Sequence, residues 1–301
     1  MRQIATVADG VTKIDSGVPG KVIAIVGGVH GDEMTGIMVV SALIECFKQG
    51  KLKLVSGVLY LVHANLEAIA RGQRGSVPGA DMNRCFAEEV LVGLVGSGYE
   101  EQRARELATV LCDVEIGIDV HATSKPSSPF IFCQRLPQVE DEQCFRWFNA
   151  GHIVADPNMM FAGQRVALDE YFSRQGGVGL CYETGFAGDT SRVTEVMGEM
   201  ISMLCDLGAC EPSQAVVPPG HLQMKFELTG AIVHPGFGYK WRAGFGEHTF
   251  QDFPANIMSA FDCDDNVSEA PRFEDHVVIF PKPETRWVLG KPVGYMARRL
   301  P

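Results

Sequence analysis

Hydrophobic positions along the chain fall into short runs separated by polar turns. Residues 21–29 (KVIAIVGGV) read as a β-branched strand closing on glycines, and residues 34–50 carry apolar side chains at helical spacing up to a glycine stop. Further strand-like runs occupy 58–63, 116–120, 130–133 and 178–182, and helical patterns cover 99–111 and 191–207. Strands alternating with helices predict an α/β fold: a mixed, largely parallel sheet flanked by helices. The pattern changes after Glu211, where PSQAVVPPG reads as a linker, and the rest of the chain is short strand-like pieces broken by turns. Two domains are expected, a catalytic one over residues 1–211 and a smaller C-terminal β-rich one over 212–301.

Composition narrows the function classes. Hydrophobic residues make up 46% and charged residues 21%, ordinary for a globular protein, and no apolar run approaches the ~20 residues that span a bilayer. The first residues, MRQIATVADGVTKIDSG, lack the basic start and apolar middle of a signal peptide, so a cytoplasmic address is expected. Nine scattered cysteines without a C-x-x-C pair read as reduced thiols. A formal net charge of −11 argues against nucleic acid and anionic membrane as partners. An anionic substrate would need a local exception built from a few placed arginines. Homo-oligomerisation is left open.

In open α/β sheets ligands gather at the carboxyl ends of strands, which directs attention to three places. One strand runs into GGVHGDE (27–33), another into DVHATS (119–124), and a third into YETG (182–185). His30 and Glu33 are spaced to converge on one cation from a tight turn, and His121 would be a third donor. Two His and one Glu leave a fourth position open, the arrangement of a catalytic zinc. Glu183 has the chemistry of a general base beside such a metal, and reads equally well as a cap or surface glutamate before the 191–207 helix. In ADMNRCF (80–86), Asn83 and Arg84 offer donors for a carboxylate, although Asp81 and Arg84 could instead form a structural ion pair.

Taken in order, GGVHGDE, ADMNRCF, DVHATS and YETG resemble the aspartoacylase and succinylglutamate desuccinylase family, relatives of the zinc carboxypeptidases, over residues 21–190. The resemblance implies a zinc carboxypeptidase-like fold, one Zn2+ per chain held by His30, Glu33 and His121, and Glu183 as the catalytic glutamate. It places Asn83 and Arg84 on the substrate carboxylate and Arg74 on the scissile carbonyl, with Arg71 as the substitute because the stretch between Arg74 and the DMNR motif is longer than usual. Arg174 stands near the position of an arginine that holds an acidic substrate side chain, and Tyr295 near that of a pocket tyrosine. The implied substrate is a small anionic N-acyl amino acid, similar to N-acetylaspartate or N-succinylglutamate. After Glu183 the chain reads TGFAGDT rather than the family's V-G-P stretch, so acyl group and amino acid stay open. The rival readings are a zinc carboxypeptidase or other small-amide hydrolase, and a non-catalytic binding protein on the same fold. A C-terminal region that closes over the metal would favour small substrates over peptides.

Overall fold

A computed structural model describes residues 3–137, 143–161, 165–211, 223–254, 260–262 and 272–301. The strands are β1 (Gln3–Ala8), β2 (Val11–Asp15), β3 (Val22–Gly27), β4 (Val58–His63), β5 (Ile116–Thr123), β6 (Phe130–Cys133), β7 (His152–Ala155) and β8 (Val178–Phe186). After residue 222 come β9 (Met224–Val233), β10 (Lys240–Trp241), β11 (Gln251–Pro254), β12 (Phe261–Asp262), β13 (Arg272–Ile279) and β14 (Pro292–Arg299). The helices are α1 (Met34–Lys48), α2 (Leu66–Arg71), α3 (Glu88–Leu91), α4 (Tyr99–Val110), α5 (Leu168–Arg174) and α6 (Val193–Asp206).

One 12-stranded sheet runs in the order β1-β2-β4-β3-β5-β8-β6-β7-β9-β14-β13-β11. Its middle, β4-β3-β5-β8, is parallel, as the strand–helix alternation predicts. The antiparallel hairpin β1–β2 extends one edge, and β6 pairs antiparallel with β8. On the far side β9 pairs parallel with β7, so the C-terminal β-rich region continues the sheet, joined by antiparallel β14, β13 and β11. Phe226 and Leu228 of β9 share a buried cluster with Phe130, Phe132 and Val154. The proline-rich linker, His221 and Cys263 lie outside the described residues; Cys46, Cys85, Cys112, Cys181 and Cys205 are free thiols. Among the described residues no helix is long and apolar enough to cross a membrane.

Alternation along β5 sets the two faces of the sheet. Ile116, Ile118 and Val120 pack with Val40, Leu43, Met200 and Met203 of α1 and α6, each such side chain contributing about 1.5–3 kcal/mol by leaving water. Gly117, Asp119 and His121 therefore face the opposite layer, where α4 and α5 contribute Leu107, Leu168 and Phe172 to a second core. A Cβ at Gly117 would lie 2.0 Å from the Phe172 ring, so only glycine lets α5 rest on the strand there.

The sequence pattern ends two strands too early. β5 continues through His121 to Thr123, and β8 continues through Glu183 to Phe186. The cause is pairing: His121 and Glu183 are register partners, so the ladder carries on through both polar residues. Parallel register also puts Asp119, His121 and Glu183 on one face.

Candidate metal and substrate site

His30 sits on the turn leaving β3, and Glu33 is the N-cap of α1. The Glu33 N–H donates to the His30 carbonyl at 3.3 Å, closing the turn. A side chain at Gly31 would meet the Ala68 carbonyl at 2.0 Å, so α2 presses directly on this loop. Glu33 makes no side-chain cap bond to its helix. Its carboxylate instead lies between two imidazoles, Oε1 at 2.7 Å from His30 Nδ1 and Oε2 at 2.9 Å from His121 Nδ1. The Ala122 N–H also donates to Oε2, at 2.9 Å.

All three side chains are buried, and one donor atom from each lies within 4.8 Å of the other two. Among the described residues this is the one His, Cys, Asp and Glu group that could hold a metal ion. The outer ring nitrogens are committed: His30 Nε2 lies 3.1 Å from Asp81 Oδ1, and His121 Nε2 lies 2.8 Å from Asp119 Oδ2. Carboxylates on the outer nitrogens fix ring orientation and raise donor basicity, as expected around a metal. Asp119 received no role from sequence, although its spacing of two from His121 on a strand was the available signal. Asp119→Asn is expected to weaken metal binding about 10- to 100-fold in chelator competition; affinity within twofold of the parent would deny Asp119 that role.

Burial pushes the Glu33 carboxyl up, but the His30 and His121 charges outweigh it and hold the group well below the usual carboxylate range. Burial likewise pulls His121 down, and Asp119 with Glu33 drives it well above an ordinary histidine. Glu183 differs. Burial pushes its carboxyl up to about 8, with His121 opposing and Glu33 adding to the shift. Its Oε2 is buried and has no hydrogen-bond partner among the described residues.

Arg74 reaches the cluster, donating to Asp81 Oδ2 at 3.0 Å and standing 3.8 Å from Glu33 Oε1. Arg71, its substitute, is paired with Glu67 on α2 at 3.4 Å. Asp81 therefore serves Arg74 and His30, and the alternative Asp81–Arg84 ion pair does not form. Arg84 donates to the Asn83 carbonyl at 2.6 Å and lies 4.6 Å over the Phe161 ring. Buried Asn83 accepts from the Leu168 N–H at 3.0 Å and has Nδ2 3.5 Å from His121 Nε2. Tyr295 is buried, its hydroxyl 3.4 Å from the Phe161 carbonyl. Arg174 lies at the end of α5 instead, paired with Glu170 through Nε at 2.8 Å, beside a separate cavity of about 230 Å³ lined by Cys133, Gln134 and Asp169. Sequence also gave no role to Arg286, which donates to Asp32 at 2.8 Å, between His30 and Glu33.

Residues 19–203 match the family model described as the succinylglutamate desuccinylase/aspartoacylase catalytic domain. A probable aspartoacylase from Nostoc sp. is 35% identical over 109 residues, a stretch covering 34% of this chain and 35% of that relative. The chain thus matches about a third of the length of this curated relative. The succinylglutamate desuccinylase of Chromobacterium violaceum superposes with a TM-score of 0.75 at 18% identity, covering 100% of this chain and 91% of that one. Murine aminoacylase 3 gives 0.71 at 17% identity, with 94% and 95% covered. At these identities the structural likeness concerns the fold.

Proposed function

The chain belongs to the succinylglutamate desuccinylase/aspartoacylase family, and from that membership we propose that it is a zinc-dependent deacylase that hydrolyses the amide bond of a small N-acyl amino acid. The observation that carries this reading is Glu183: a buried carboxylate with one unpartnered oxygen, in register with His121 and on the face that holds the His30–Glu33–His121 donor set. Two imidazoles and one carboxylate suit zinc with a position left for water or substrate. When bound there, zinc supplies Lewis acidity and lowers the pKa of a water toward ~7.

The chain's own residues supply the remaining steps. Glu183 takes a proton from the attacking water and returns it to the departing amide nitrogen, a role suited to a carboxyl whose pKa is raised. Arg74, fixed by Asp81, faces the oxygen on which negative charge develops. Arg84 and Asn83 hold the free carboxylate, so that the scissile carbon is brought to the metal. The products are a carboxylic acid and an amino acid. The Arg286–Asp32 contact brings the C-terminal region against the metal loop, which favours small substrates over peptides.

The test is a panel of N-acyl amino acids, each offered with a free and with an amidated α-carboxylate, with detection of the released amine. The free acids are expected to react and the amides to react poorly. Arg84→Lys keeps the charge but loses the planar fork, and is expected to lower kcat/KM about 10- to 100-fold on the free acids and much less on the amides. Equal losses on both would make Arg84 a structural residue, and release of amine from none of the panel would end the deacylase reading.

A further inference from the structure

Of the YETG stretch only Glu183 has a task so far, and the two residues after it sit where the sheet breaks register. β5 and β8 pair residue for residue up to His121 and Glu183, but the next partners are Thr123 and Phe186, so Thr184 and Gly185 together stand opposite Ala122 alone. An extra residue of this kind bends the strand and re-aims the side chains beside it. Gly185 permits it with φ 122, a conformation in which any other residue would be strained.

The bulge is pinned on both sides. Arg192 Nη1 donates to the Thr184 carbonyl at 2.7 Å and is itself held by the Glu195 carboxylate, through Nε at 3.0 Å and Nη2 at 2.9 Å. The Thr123 hydroxyl, shared with the Lys125 carbonyl at 2.6 Å, lies 2.9 Å from the Gly185 carbonyl. With its backbone fixed, buried Thr184 turns its hydroxyl back across the ladder and donates to the His121 carbonyl at 2.9 Å. A β-branched side chain has few rotamers, so little freedom remains at this contact.

What the hydroxyl grips is the peptide group between His121 and Ala122, whose other end is also taken. The Ala122 N–H donates to Glu33 Oε2 at 2.9 Å, and Glu33 belongs to the donor set with His30 and His121. The peptide is planar, so its carbonyl and its N–H point in opposite directions and cannot turn independently. Thr184 hydroxyl, peptide and Glu33 carboxylate therefore form one line of hydrogen bonds across the site, and the bond to the carbonyl polarises the N–H at the far end. The plane of that peptide also sets the backbone from which the His121 ring projects.

We infer that Thr184 is a positioning residue: its hydroxyl fixes the peptide between His121 and Ala122, and with it the Glu33 carboxylate and the His121 ring, relative to the neighbouring Glu183. The inference rests on the deacylase reading for its kinetic consequence, and on the donor set alone for its effect on metal affinity.

The experiment uses the full chain and compares Thr184→Val, which keeps the shape and removes the hydroxyl, with Thr184→Ser, which keeps the hydroxyl. Zinc affinity is read by chelator competition, and kcat and KM on the N-acyl amino acid that the parent hydrolyses fastest. Thr184→Val is expected to weaken zinc binding and to lower kcat, each about 10-fold or more, with KM within about threefold of the parent. Thr184→Ser should bring zinc affinity and kcat back to within about threefold. If Thr184→Val does not fold, Thr184→Ala takes its place and is judged against Thr184→Ser in the same way. Zinc affinity and kcat both within about threefold of the parent without the hydroxyl, or equal losses with and without it, would overturn the role of Thr184 while leaving the deacylase standing. A parent that binds zinc but hydrolyses none of the panel would remove the deacylase reading, and the zinc comparison would still decide the role of Thr184.

Discussion

His30→Ala is expected to leave the purified protein with about a tenth of an equivalent of zinc or less, and with no measurable deacylation, while the fold survives. Removing this ring takes away one of three protein donors. The carboxylate behind it is not stranded, because Asp81 keeps its bond to Arg74 at 3.0 Å. The equivalent change on the strand is harsher. His121→Ala removes the imidazole partner of Asp119, a carboxylate with 0% exposure whose other oxygen already has no hydrogen-bond partner among the described residues. An uncompensated buried charge costs several kcal/mol, about 3–5 where a close partner is removed. Metal loss in both variants is therefore expected, with a clear drop in Tm for His121→Ala alone. Elemental analysis and thermal melting read the two effects separately. A full equivalent of zinc retained in both variants would place the metal elsewhere.

Glu183→Gln is expected to keep zinc and fold but to lose kcat by about 10²- to 10⁴-fold, the usual contribution of a positioned acid–base group. The amide matches the carboxylate in shape and cannot accept and return a proton. Because the folded-state pKa of Glu183 is raised to about 8 by burial, the ionised form is the disfavoured one, and its stability cost grows as pH rises from the ordinary carboxylate range toward that value. A neutral amide removes the cost, so the variant should melt at or above the parent at neutral pH. Near-normal turnover in the zinc-loaded variant would assign the base to another group.

What could be read from the sequence was local. The run KVIAIVGGV, the H-x-x-E turn and the strand at 130–133 announce themselves through neighbours a few residues away, and the structure places them where that reading put them. The elements without an advance reading are short or depend on distant partners. The four-residue β7 and seven-residue α5 carry too few periods to stand out, and the β1–β2 hairpin is polar enough to pass for a loop. The pairing of β7 with β9 joins His152 to Met224, a register that no local pattern encodes. Within the site, His30, Glu33 and His121 were legible as metal-binding residue types at strand ends. Asp119 was hidden by its ordinary appearance in a strand, and Arg286 by its separation of 254 residues from Asp32.

That separation has a consequence for the order in which the molecule is made. On the ribosome the donor set is complete once His121 has emerged, and the central parallel strands can begin to pair around it. Asp32 must wait for Arg286, 254 residues further along the chain, and β9 must find the edge of β7 only after the linker has been synthesised. Contacts this distant in sequence form slowly, because loop closure is costly before they reward it. The growing chain therefore passes through a stage in which the loop of His30 and Glu33 has formed but lacks the flank that Arg286 brings, so the contact that fastens this loop comes well after the residues it fastens.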